Sequence, residues 1–173
     1  AWDDLYTRIA AYLTAHKTTL IFVASRRLSE RMAHDLEQRL GEGVVAAHHG
    51  ALAKRTRLAV EQRLQTGAIK AVVATASLEL GIDIGDVELV IQIGSPRSIA
   101  VLRQRIGRAC HSVGGTPKGR ILAMDRDGLL ECAAGGAAYQ IGAAGGRSHY
   151  GKARGWHLDA ARAGRGAAAS RQD

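Results

Sequence analysis

Four apolar runs constrain this chain more than any other feature: residues 19–24, 69–74, 89–93 and 119–124. Within them, apolar residues sit on consecutive rather than alternate positions. A strand with one wet face alternates, whereas a strand covered on both faces has no polar side to show. A shorter run, residues 44–47, reads as a further strand. The intervening segments repeat their apolar residues at helical spacing, as Leu5, Ile9, Tyr12 and Leu13 do within residues 2–17. Residues 28–40, 52–66 and 98 to about 111 read as further helices. Helices alternating with buried strands make βαβ units, and hence an α/β fold: a five-stranded parallel sheet with helices on both faces.

The punctuation agrees with this layout. Ser25 or Ser29 can cap the second helix, Gly41 can close it, Gly67 can close the third, and Ser98 can cap the fourth. After residue 128 the composition changes. Residues 133–173 are dominated by Ala, Gly and Arg, with A-A-G-G twice and no sustained period. The chain is therefore divided into a folded domain, 1–128, and an irregular, disordered tail, 129–173. A natural flexible tail and the product of a shifted reading frame near Cys132 would both have this composition.

Ligands of open parallel sheets gather at the carboxyl ends of the strands, and polar residues cluster there. Ser25 and Arg26 follow the first strand, His49 and Gly50 the second, Thr75 and Ser77 the third. Hydroxyls, guanidinium groups and backbone N–H groups suit a nucleic-acid phosphate. Lys54, Arg55 and Arg57 lie on the helix that follows His49 and Gly50. Further along stands Q-R-I-G-R-A-C-H, Gln104 to His111. On a continuous helix, Gln104, Arg108 and His111 would fall at i, i+4 and i+7 and share a face. A guanidinium matches phosphate oxygens two at a time.

Three segments in this order, T-L-I-F-V-A-S-R-R from Thr19, A-T-A-S-L-E-L-G-I-D-I-G-D-V from Ala74 and Q-R-I-G-R-A-C-H from Gln104, resemble motifs IV, V and VI of superfamily-two helicases. The likeness covers residues 19–124, and S-L-E-L-G-I-D-I-G followed by Q-R-I-G-R-A and His111 is most similar to the large helicase-related (Lhr) proteins. DEAD-box RNA helicases carry an arginine where His111 stands, and the motif has glycine where this chain has Cys110.

The resemblance implies a RecA-like C-terminal lobe of an ATP-dependent helicase or translocase. Its candidate catalytic set is Arg108, Arg105 and Gln104: Arg108 the finger on the γ-phosphate, Arg105 a support of the lobe or its coupling, Gln104 a link between nucleotide and nucleic acid. It puts Gly81, Asp83 and His111 on the nucleotide side, with Asp83 near the ribose or the hinge. It puts Ser25, Arg26, His49, Gly50, Thr75 and Ser77 along a single strand of DNA or an RNA–DNA hybrid. No G-x-x-x-x-G-K-[ST] loop and no D-E-x-H run occurs in the sequence. ATP and Mg2+ are therefore expected to be held mainly by an N-terminal RecA-like lobe ahead of Ala1, and this chain alone is expected not to hydrolyse ATP. The alternatives are a non-motor nucleic-acid-binding module, a DEAD-box-like RNA helicase lobe and a remnant without activity.

Charge fits this reading only in part. The net charge is +8, but residues 132–173 supply half of it, with six basic residues against two acidic ones. The two cysteines, Cys110 and Cys132, have no paired spacing, which argues for a reducing, cytoplasmic setting. No apolar stretch has the length of a membrane span, and the N-terminus has no signal pattern. No Cys-x-x-Cys or His-x-x-x-His pair suggests a metal. His48 and His49, adjacent on a strand, point to opposite faces.

Overall fold

In a computed structural model, the protein is described over residues 2–79, 84–109, 118–134 and 156–160. The elements run α1 (Trp2–Ala15), β1 (Thr19–Phe22), α2 (Arg26–Leu40), β2 (Val45–His48), α3 (Lys54–Gln65), β3 (Ala71–Ala74), a 3₁₀ turn (Ala76–Leu78), β4 (Leu89–Ile93), α4 (Ile99–Ile106), β5 (Lys118–Ala123) and β6 (Trp156–Ala160). Residues 126–134 are helical. The strands form one sheet in the order β2-β3-β1-β4-β5-β6, and every pairing is parallel.

Both faces of the sheet are covered, as the consecutive apolar runs require. On one face Ile21, Val23, Val73, Ile91 and Leu122 pack against Leu5, Ile9 and Leu13 of α1 and Met32 and Leu36 of α2. On the other, Leu20, Phe22, Val72 and Val90 meet Val60 and Leu64 of α3. Further along that second face, Leu102 and Ile106 of α4 cover Ile121 and Ala123, together with Cys132. Since β1 is flanked by β3 and β4, the chain crosses over β1 between them. The strand order reverses there, and an open α/β sheet leaves a crevice at such a point.

Two local expectations hold in detail. Ser25 caps α2, its Oγ accepting from the Leu28 amide at 3.2 Å. Gly41 ends that helix with its amide on Glu37 O at 2.8 Å and φ of 110°, where a side chain would be strained.

Two others change. The fourth helix was expected to reach His111, yet α4 stops at Ile106. Beyond it the bonds tighten: Arg108 N reaches Arg105 O at 3.2 Å and Ala109 N reaches Ile106 O at 2.8 Å. Ala109 then bridges Val87 in parallel and is buried with it. Gly107 weakens helical continuation, and this long-range pairing draws the chain away. Arg108 therefore lies in a turn and does not share a helical face with Gln104.

The second change lies past the expected boundary at 128, which falls inside the helix over 126–134. A sixth strand, β6, pairs with β5 from Gly119↔Trp156 to Ala123↔Ala160. Its sequence, W-H-L-D-A, alternates apolar and polar residues as a strand can, but the surrounding Ala and Gly obscure that pattern. The rest of the expected tail lies outside the described residues.

Candidate nucleotide and nucleic-acid interface

The carboxyl ends of β1, β2 and β3 bring most of the candidate contacts to one edge. After β1, Ser25, Arg26 and Arg27 are exposed. The Ser25 hydroxyl accepts from the Leu28 amide, so it serves α2 whether or not it also meets a phosphate. After β2 the chain turns, with Leu52 N on His49 O at 3.1 Å. Arg57 of α3 clamps this turn, its Nη1 donating to Gly50 O at 3.0 Å and Leu52 O at 3.2 Å. Gly50 itself is exposed, with open space where a Cβ would stand.

His48 and His49 take opposite faces, as strand geometry demands. Both are buried. His49 Nε2 meets Glu30 of α2 at 2.7 Å, and its Nδ1 has no hydrogen-bond partner. His48 lies between Ser77 Oγ, 2.7 Å from Nδ1, and Glu61 Oε1, 2.8 Å from Nε2. Burial pulls its imidazole below the ordinary 6.5, an effect that Glu61 partly offsets. A neutral ring with its proton on Nε2 suits both neighbours: it donates to Glu61 and accepts from Ser77. The Ser77 hydroxyl is thus turned inward, 3.1 Å from His48 O. Thr75 N is likewise engaged, donating to His48 O at 3.2 Å. The 3₁₀ turn after β3 is thereby tied to the end of β2.

The two arginines of the Gln104–His111 segment have different surroundings. Arg105 is turned into the protein, with a side chain only 11% exposed. Its Nε donates to Glu79 Oε1 at 2.8 Å, its Nη2 also meets that oxygen, and its Nη1 donates to Gln92 Oε1 at 2.6 Å. The guanidinium lies over the Phe22 ring, 4.9 Å from its centroid. Gln92 is held in turn, its amide donating to Ile93 O and Gly94 O. Removing one partner of such a buried pair costs about 3–5 kcal/mol. Arg108 is half-buried, and its Nε and Nη2 donate to the backbone oxygen of Glu79 at 3.2 and 2.9 Å. Gln104 is exposed on α4.

Arg105 and Arg108 therefore converge on Glu79, while Ser77, Thr75, His49 and Gly50 gather at the ends of β2 and β3. Gly81, Asp83, Cys110 and His111 lie outside the described residues. The sequence reading assigned Glu79 no firm role and missed Gln92, Glu61 and Glu30; it placed Arg57 near the turn after β2 but not its clamp on Gly50 O and Leu52 O. Gln92 was the one with a visible signal, because a lone amide inside L-V-I-Q-I of a buried strand needs a partner. Among the described residues, no three His, Cys, Asp or Glu side chains cluster as a metal site would need. No described helix is long and apolar enough to cross a membrane.

Known proteins are similar to this chain in sequence and fold. The helicase conserved C-terminal domain family matches residues 4–112. ATP-dependent helicase Lhr-Core protein 2 of Thermococcus barophilus is 45% identical over 132 residues, 75% of this chain and 15% of its own length. The Lhr helicase/uracil glycosylase of Escherichia coli is 35% identical over 163 residues, covering 76% of this chain and 11% of the relative. The chain thus spans a small part of the curated relatives it matches. Among solved structures, the Mycobacterium smegmatis helicase Lhr bound to ssDNA and AMP-PNP superimposes with a TM-score of 0.76 at 42% identity, over 82% of this chain and 19% of that one. The chain belongs to the helicase conserved C-terminal domain family, as a RecA-like C-terminal lobe of the superfamily-two, Lhr-like type.

Proposed function

We propose that this lobe closes on ATP held by a preceding RecA-like lobe, presents Arg108 to the γ-phosphate and guides a single strand of DNA past the ends of β1, β2 and β3. One observation carries the reading: Arg108 is half-buried at the turn after α4 and oriented by a backbone carbonyl, beside an arginine wholly committed to the interior. A guanidinium carries the fixed positive charge and forked donors that suit a polyphosphate. Bound ATP would supply the phosphoanhydride: water adds at the γ-phosphorus, the bond to the bridging oxygen breaks, and ADP, phosphate and a proton leave. Within this chain, Arg108 would neutralise charge on the γ-phosphoryl oxygens. Arg26, Thr75 and the Gly50 turn would hold strand phosphates, with Gln104, Gly81, Asp83 and His111 on the nucleotide side. Mg2+ would be held by the preceding lobe. The mycobacterial Lhr, bound to ssDNA and AMP-PNP, supports the choice of both ligands.

The test uses the two-lobe protein that contains this chain. ATP hydrolysis is measured with and without single-stranded DNA, in wild type and in Arg108→Ala. DNA should stimulate the rate, and the variant should lose about 10³-fold or more, the scale of an arginine finger. A rate indifferent to DNA, or unchanged in the variant, would remove the motor and favour a binding module. Stimulation by RNA alone would move the substrate to RNA.

A further inference from the structure

We infer that Glu79 is the positioning residue of Arg108, gripping it through its backbone while its side chain is locked by Arg105; this rests on Arg108 being the phosphate-directed arginine. One residue holds both guanidinium groups. The Glu79 carboxylate takes Nε and Nη2 of Arg105, and the Glu79 carbonyl takes Nε and Nη2 of Arg108. Two donors on a single oxygen fix the direction of the Arg108 plane as well as its distance.

The carbonyl can act in this way only if the residue that carries it is itself held. On the other side of its Cα, the Glu79 amide donates to Ala76 O at 3.1 Å. The Glu79 side chain, 14% exposed, enters a pair whose other member is 11% exposed. Arg105 is anchored in turn by Gln92 Oε1 and the Phe22 face, and Gln92 by the backbone at the end of β4. A continuous set of contacts thus runs from the sheet through Gln92, Arg105 and the Glu79 carboxylate to the carbonyl that aims Arg108. The arrangement also explains why two arginines stand three residues apart: the buried one fixes the platform on which the half-buried one rests.

The experiment reads single-turnover ATP hydrolysis in the two-lobe protein at saturating single-stranded DNA, together with the KM for ATP. Glu79→Ala should lower the rate by roughly tenfold to a hundredfold, the effect of about 1 Å of misplacement, at unchanged KM. Glu79→Gln, which keeps an oxygen at the same reach, should fall between Glu79→Ala and wild type. Glu79→Ala leaves Arg105 buried without its carboxylate and so endangers the fold. The paired variant Glu79→Met with Arg105→Met replaces the ion pair by apolar volume, a change that buried pairs commonly tolerate. It should melt as wild type does and lose the same rate. In an Arg108→Ala background, either change should cost nothing more, because the residue being positioned is gone.

Losses that multiply in the Arg108→Ala background, or a folded paired variant at full rate, would overturn the inference and leave the role of Arg108 standing. An Arg108→Ala protein at full rate would overturn both, so the two failures are distinguishable.

Discussion

Replacing His48 by Ala should destabilise the folded chain by about 3–4 kcal/mol, and the structure says where that cost arises. The ring is only 1% exposed and donates to a Glu61 carboxylate that is itself 13% exposed. Without the ring, Glu61 remains nearly buried with its partner gone, a penalty of about 2–3 kcal/mol for a charged acceptor. Lost packing of the imidazole adds about 1 kcal/mol. Ser77 contributes little, because the His48 carbonyl remains 3.1 Å from its hydroxyl. His48→Gln places an amide N–H near the lost Nε2, keeps Glu61 satisfied, and should cost only about 1 kcal/mol. Glu61→Gln in the His48→Ala background should recover about 1 kcal/mol, since a neutral amide is easier to leave unpaired. Urea unfolding followed by circular dichroism gives each value from the midpoint at constant slope. His48→Ala within about 0.5 kcal/mol of wild type, or no recovery from Glu61→Gln, would refute the account of the ring as the donor that satisfies Glu61.

The same burial makes stability depend on pH. His48 titrates below 6.5 in the fold because it is buried, and so does His16, by burial and then by Lys118; the unfolded chain therefore takes up protons first. The urea midpoint should hold steady above 6.5 and decline as the pH falls below it, less steeply in His48→Gln; a midpoint that rises on acidification would contradict the neutral ring. Gly85→Ala should lose about 1–2 kcal/mol, because φ is 73° and the new Cβ would sit 3.3 Å from Gln65 Cγ and 3.5 Å from Gln65 Cα; a thermal melt at or above the wild-type temperature would show that the turn accepts a side chain. Ser25→Ala should cost about 1 kcal/mol through its cap on α2, with Ser25→Asp restoring it; an unmoved melt would mean that the hydroxyl serves only a ligand.

The strands and caps were legible in the sequence because what determines them lies close at hand. Ile21 and Phe22 announce a doubly covered strand by being adjacent. Ser25 announces a cap by standing three residues before the amide it accepts from. The opposite faces of His48 and His49 follow from the pleat alone. Their partners do not: Glu61 lies 13 residues from His48, and Glu30 lies 19 from His49, each on a helix that only the completed sheet brings near. The end of α4 was misread for the same reason. Gly107 permits continuation or termination, and it is Val87, far upstream, that decides by pairing with Ala109. The two arginines show the limit most plainly. In sequence, Arg105 and Arg108 are alike, two guanidinium groups around a glycine. Glu79, 26 residues before Arg105, and Gln92, 13 before it, tell them apart by drawing one inward. A side chain's role at a shared edge is set by which neighbours neutralise it, and those neighbours are gathered by topology. Charge and spacing can therefore nominate both arginines, and only the carboxylate of Glu79 and the amide of Gln92 divide the work between them.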